Sequence, residues 1–172
     1  KIIATTRKPE TLAALKAKGV DVRAADFDDT ATLVKAFKGA TRLLLISTDA
    51  LDRPGHRLEQ HKNAIAAAEK AGVDHILYTS LPKPDTSAIR FAPDHVGTEK
   101  TLAASSLKGW TVLRSNWYFE NLFYALPSAI KSGTLYTAAA EGKIAYIARE
   151  DLARAAAAAL AYDNGGKNTY TL

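Results

Sequence analysis

Arg42-Leu43-Leu44-Leu45-Ile46-Ser47 is the stretch on which the fold turns. Four consecutive apolar residues without polar alternation describe a strand buried on both faces, and such strands belong to parallel sheets covered by helices. The same arrangement repeats outward from it. Upstream, Ile2 to Thr5 and Val20 to Ala25 read as strands, separated by a helix that Pro9 opens and Gly19 closes. Asp28, Asp29 and Thr30 offer N-cap chemistry to a helix bearing Leu33, Val34 and Phe37, which Gly39 stops. Downstream, a helix from about Gly55 to Ala71 ends at Gly72, and His75 to Ser80 is a strand. Leu81 to Pro93, with three prolines, reads as a loop; Asp94 then caps a helix through about Ser105, and Trp110 to Arg114 is a further strand. This spacing argues for parallel crossovers, hence an α/β, Rossmann-like doubly wound parallel sheet.

After Arg114 the pattern loosens. Trp117 to Lys131 looks helical with a break near Pro127, Lys143 to Ala148 looks extended, Asp151 begins an alanine-rich helix, and Asn168 to Leu172 reads as a terminal strand. Without an internal repeat or interdomain linker, residues 1–172 read as one domain. The absence of cysteine excludes disulfides, thiolate metal sites and a cysteine nucleophile. The histidines show no metal spacing, so no metal is expected. No run approaches the roughly 18 apolar residues of a membrane span, and no secretory pattern is present, so no membrane partner is expected and a cytoplasmic location fits. The net charge of +5 comes from basic residues scattered singly, among them Lys16, Lys35, Lys62 and Lys70. That scatter argues against a nucleic-acid partner; a homodimer is left open.

In open α/β sheets ligands bind beyond the carboxyl ends of the strands. Those ends carry Arg7 and Lys8, Asp26 and Phe27, Ser47 and Thr48, Thr79 and Ser80, and Arg114 to Trp117. Arg7 is either an exposed strand-end arginine or, where an acidic residue would bind a ribose diol, a guanidinium suited to a 2′-phosphate. Asp26 and Phe27 either cap a helix and fill the core or flank an adenine. The hydroxyls of Ser47, Thr48, Thr79 and Ser80 stand where a dinucleotide would cross the sheet. Lys100 either reaches ribose hydroxyls or is solvated, and His61 reads as a packed or capping histidine.

Taken in order, Arg7-Lys8-Pro9, Asp26-Phe27, Leu44 to Thr48, Gln60 to Asn63, Ala71-Gly72-Val73, His75 to Ser80, His95 to Lys100, Leu113 to Asn121, Gly142-Lys143-Ile144 and Arg149-Glu150-Asp151 cover nearly the whole chain. This set resembles the NmrA-like, atypical short-chain dehydrogenase/reductase family, and within it the NADPH-dependent quinone oxidoreductase type related to triphenylmethane reductase. The resemblance implies NADP(H) as cofactor and hydride transfer to a quinone or similar small aromatic acceptor. A non-enzymatic NADP(H)-sensing regulator, also found in the family, is the alternative. By matching position, Arg7 (with Lys8 beside it) would bind the 2′-phosphate and Phe27, next to Asp26, would lie near the adenine. Ser47 and Thr48 would line the cofactor path, and Tyr78, Thr79 and Ser80 would approach the nicotinamide. Lys100 would hold the nicotinamide ribose, Asn116, Trp117 and Tyr118 would border the substrate, and Tyr118 and His95 are candidate proton sources.

Two departures stand out. The tyrosine that usually precedes the lysine by four residues is Val96 here, and none of the ten glycines falls in a Gly-x-x-Gly-x-x-Gly spacing. Water or a nearby tyrosine suffices to protonate an aromatic phenolate, so quinone reduction suffers little from the first. The second leads to the expectation that the first strand, its glycine-rich loop and a C-terminal substrate-covering region are missing. Ile2 to Thr5 and Leu43 to Ser47 would then flank an open slot and would not pair directly.

Overall fold

The computed structural model describes residues 1–137, 141–162 and 165–172. Strands β1 (Ile3–Thr6), β2 (Asp21–Ala24), β3 (Arg42–Leu45), β4 (His75–Ser80) and β5 (Gly109–Arg114) alternate with helices α1 (Ala13–Ala17), α2 (Thr30–Phe37), α3 (His56–Ala71) and α4 (Ala92–Ala104). Then come a short strand β6 (Trp117–Tyr118), helix α5 (Leu122–Ser132), strand β7 (Tyr146–Ile147), helix α6 (Arg149–Ala161) and strand β8 (Lys167–Thr171). All described pairings between strands are parallel: β3-β4-β5-β8 form one sheet, β1-β2 a second and β6-β7 a third.

Ile3 pairs with Asp21 and Leu45 with Tyr78, so β1 and β3 share no ladder. Each has one side without a strand partner among the described residues.

Alternation along β4 sorts the core. Ile76 and Tyr78 join Leu33 and Phe37 of α2, Ala64, Ile65 and Ala68 of α3, and Leu102 of α4 in one buried cluster. Leu77, buried too, points to the opposite face, where α6 packs against β3 and β4. Arg42 Nη2 ties that layer down by donating to the Ala159 carbonyl at 2.9 Å. Local chemistry sets the helix ends. The Asp29 carboxylate accepts from the Ala31 and Thr32 amides at 3.0 and 3.4 Å. Gly72 ends α3 at φ 76°, the left-handed conformation that suits glycine.

Four boundaries differ from the sequence reading. Helix α4 begins at Ala92, not at Asp94, because Pro93 sits in the first turn, where its missing N–H would be unpaired anyway; Asp94 is a first-turn acid rather than the cap. Trp117 and Tyr118 are extended instead of helical, since they pair with Tyr146 and Ile147. Pro127 does not break α5; it stands inside the helix, and its missing N–H costs only the one bond to the carbonyl of Phe123, at the start of the helix. Helix α6 starts at Arg149, two residues before Asp151, with Ala148 as N-cap residue.

Candidate functional site

The carboxyl ends of β1 to β5 converge on two chambers that share Ser47, Thr48 and Asp49 and so form one trough. The first, about 520 Å³, is walled by Thr5 to Arg7, Ala25 to Asp28 and the segment from Ile46 to Asp52, with His56 and Gln60 behind. The second, about 620 Å³, is lined by Arg57, Phe91, His95 and Ser115 to Tyr118, with Thr79 to Pro82 and Lys143 to Ala145 completing the wall. Both volumes lie in the range of small-molecule sites.

In the first chamber Arg7 is exposed and makes no ion pair among the described residues. Asp26 and Phe27 stand on the wall, the Phe27 carbonyl held by Asn63 Nδ2 at 2.9 Å. A feature not read from sequence lies beside them. His56 bridges two carboxylates, Nδ1 at 2.6 Å from Asp52 and Nε2 at 2.8 Å from Asp28, and Gln60 Nε2 donates to the other Asp28 oxygen. The bonds to Asp52 and then Asp28 hold the imidazole above its ordinary value, and the bond to His56 holds each carboxyl below its own. With a carboxylate at each ring nitrogen, His56 ties two acidic side chains of the chamber wall together.

Where the chambers meet, Thr79 Oγ1 accepts from the Ser47 amide at 2.8 Å and donates to Ser47 Oγ at 3.3 Å. The Thr48 amide donates to His61 Nε2 at 3.0 Å, while Thr48 Oγ1 is buried without a partner. His61 is packed away from solvent, as its place on a helix suggests. In the second chamber Ser80 Oγ donates to Glu99 Oε1 at 2.6 Å, and Arg114 holds that carboxylate with Nε at 3.1 Å and Nη2 at 2.6 Å. Asn116 is fixed through its amide and Nδ2, at 2.9 and 2.8 Å, to the Leu172 carbonyl. Trp117 is half-exposed, and Tyr118 completes that wall.

Beneath the second chamber runs a buried polar chain. Arg57 Nη2 donates to His95 Nε2 at 3.2 Å, His95 Nδ1 lies 2.7 Å from the Tyr78 hydroxyl, and His61 Nδ1 lies 2.8 Å from Thr98 Oγ1. Because Arg57 can only donate, Nε2 of His95 is the acceptor and Nδ1 carries its hydrogen. By the same reasoning His61, which accepts from Thr48, is protonated on Nδ1. Burial first, and the Arg57 charge second, push His61 down to about 3 and His95 down to about 4, so both are neutral near pH 7. Burial raises the Tyr78 phenol.

The structure places three of the residues assigned from sequence off the trough. Tyr78 lines neither chamber: its side chain is fully buried among the helices, with its hydroxyl spent on His95. Lys100 is exposed and borders a separate groove between α3 and α4, with Lys62, Glu69 and Thr101. The helical turn explains this, since His95, Thr98 and Leu102 face inward and Lys100 falls outside that stripe. Lys8 is exposed, off the trough, its amide bonded to Thr6 Oγ1. His95 does line the second chamber, but as a neutral imidazole engaged at both nitrogens it is no strong proton source. The sequence reading gave no site role to Arg57 or His56, took Asp28 only as N-cap chemistry, and named Ser115 only within the strand-end run Arg114 to Trp117; position on the first turn of α3 is the one signal that could have flagged Arg57.

Among the described residues no helix is long and apolar enough to cross a membrane, and no group of three or more His, Asp or Glu side chains could hold a metal ion.

A parallel sheet whose strand ends open into a two-chamber trough defines a nucleotide-binding α/β protein. The chain belongs to the NAD(P)H-binding family, whose model matches residues 1–163. It is 42% identical to quinone oxidoreductase 2 of Escherichia coli over 179 residues, covering 99% of this chain and 61% of that protein. The crystal structure of the E. coli NADPH-dependent quinone oxidoreductase complexed with NADPH matches with a TM-score of 0.91 at 44% identity, over 99% of this chain and 59% of the other. Citrobacter sp. triphenylmethane reductase complexed with NADP(H) matches with a TM-score of 0.88 at 34% identity, over 99% of this chain and 60% of the other. The chain thus spans about 60% of the length of these relatives. The resemblance read from the sequence agrees with all three.

Proposed function

We propose that this chain carries the cofactor trough and acceptor chamber of an NADPH-dependent oxidoreductase that transfers hydride to a quinone or similar small aromatic acceptor, with residues 1–172 forming one NAD(P)-binding domain. The observation that carries the reading is the continuity of the trough. A free guanidinium and an aromatic ring stand at one end, hydroxyls at the waist, and a chamber walled by Phe91, Trp117 and Tyr118 at the other. The likeness to an NADPH-dependent quinone oxidoreductase and a triphenylmethane reductase supports the same reading.

The residues present fit the cofactor. Arg7 has no competing carboxylate partner among the described residues, and Thr48 Oγ1 is a buried hydroxyl with no protein partner at the waist. Arg7 would meet the 2′-phosphate, Asp26 and Phe27 the adenine, and Ser47, Thr48 and Thr79 the crossing between chambers. NADPH, when bound, supplies the hydride and leaves as NADP+. Ser80, locked by Glu99 and Arg114, stiffens the floor of the acceptor chamber. Asn116, Trp117 and Tyr118 orient a flat acceptor, so positioning is the main catalytic contribution. Hydride addition leaves a hydroquinone monoanion, which takes one proton from water or from Tyr118 to give the hydroquinone; Val96 leaves no tyrosine four residues before Lys100 for that task. A regulator that only senses NADP(H) needs no second chamber, so the 620 Å³ space favours the enzyme.

The test is cofactor binding and turnover with a quinone panel. Arg7→Ala should weaken NADPH by about tenfold or more through loss of a charge-assisted contact, while NADH binding is unchanged. Unaltered NADPH affinity in that variant, or equal use of NADH and NADPH by the wild type, would defeat the assignment.

A further inference from the structure

We propose that Arg57, together with Ser115, forms an anion subsite in the second chamber that receives a ring-borne oxyanion, so that the preferred acceptors are planar aromatics carrying an ionised oxygen, hydroxyquinones above all. This rests on the reading of that chamber as the acceptor site.

Arg57 is only 7% exposed, yet no carboxylate lies within ion-pair distance of it among the described residues. Its Nη2 meets the neutral His95, its Cζ sits 4.7 Å from the centroid of the Phe91 ring, and its Nε has no hydrogen-bond partner. A guanidinium does not give up its proton near neutral pH, so the charge persists. An unpaired buried cation is costly, and here neither the imidazole nor the ring supplies a counter-charge. Ser115, 7% exposed and lining the same chamber, holds a second buried atom without a partner, its Oγ. Thr48, Arg57 and Ser115, each with a buried side-chain atom that has no partner among the described residues, all line this space. A phenolate oxygen satisfies both needs, bringing a negative charge and a hydrogen-bond acceptor within bonding range of groups that have neither there; Asp49, on the wall the two chambers share, and Asp94 attract Arg57 only from beyond ion-pair distance. Phe91, whose ring Arg57 covers on one side, and Trp117 line the same chamber as apolar walls for its ring. The hydroquinone monoanion left by hydride addition bears the same group, so the subsite also favours the product side of the transfer.

The experiment is calorimetric titration of the NADP+-loaded protein with 4-nitrophenolate and with nitrobenzene, its uncharged counterpart, beside NADPH binding and thermal melts. The wild type should bind the phenolate roughly tenfold or more tightly than nitrobenzene. Arg57→Met should abolish that preference, leave nitrobenzene and NADPH affinities within about twofold, and leave Tm unchanged or raised, because an unpaired buried charge has been removed. Ser115→Ala should reduce the preference several-fold without loss of stability. Equal affinities in the wild type would overturn the proposal. So would a marked loss of Tm or of folding in Arg57→Met, which would make the residue structural. A loss of NADPH rather than phenolate affinity would assign Arg57 to the cofactor instead. If phenolate preference holds but no quinone is reduced, the oxidoreductase reading fails and the subsite stands.

Discussion

Mild acid should destabilise this protein well before its carboxylates protonate. His61 and His95 are buried and neutral, pushed down to about 3 and about 4. In the unfolded chain each returns to about 6.5. Below that pH the unfolded state therefore binds two protons that the native state refuses, and unfolding free energy falls as pH falls, by about 1.4 kcal/mol per pH unit for each histidine. Between pH 6 and 4.5 the two together remove about 4 kcal/mol, a large part of the roughly 5–15 kcal/mol typical of a domain. His56, whose folded value is raised, contributes stability below its unfolded value and loses it only as pH rises through the folded one. Asp21, Asp28 and Asp52, whose folded values are lowered, lose their contribution only below the ordinary carboxylate range. Urea titrations at half-unit steps from pH 7 to 4.5 measure the slope. The wild type should lose about 2.7 kcal/mol per pH unit below pH 6, and His61→Gln about half of that. Flat stability across this window, or a histidine at position 61 that titrates near its ordinary value by NMR, would refute the buried neutral chain.

Other outcomes follow from packing at single positions. Asp29→Ala removes the carboxylate that caps α2 and should lower stability by about 1 kcal/mol in urea unfolding, without changing cofactor affinity. Gly109→Ala should lower Tm through a loss of about 1–3 kcal/mol, because a Cβ there would come within 2.5 Å of the Gly166 carbonyl, a backbone atom that cannot swing aside.

The fold was legible because burial leaves period and punctuation in a sequence. The apolar run of β3, the identical limits expected and found for β4, and the glycine after α3 each follow from local physics. The errors arose where neighbours override local preference: Trp117 and Tyr118 are extended because β7 pairs with them, and that partner lies nearly thirty residues away. The candidate site divides in the same way. Strand-end position marked Arg7, Asp26, Phe27, Ser47, Thr48 and Thr79, since in a parallel sheet the end of every strand faces the same crevice. Tyr78 belongs to the same β4 segment, but strand alternation turns it into the core.

The sequence by itself determined the doubly wound class, the strand ends and the family, because periodicity, caps and ordered short motifs are properties of neighbouring residues. Only the tertiary structure decided that Lys100 faces a separate groove, that His56 spans two carboxylates from different segments, and that Arg57 lies buried beside a neutral histidine without an anion. Charge and burial at those positions depend on groups distant in the chain, and no local pattern records which of them fold back to meet.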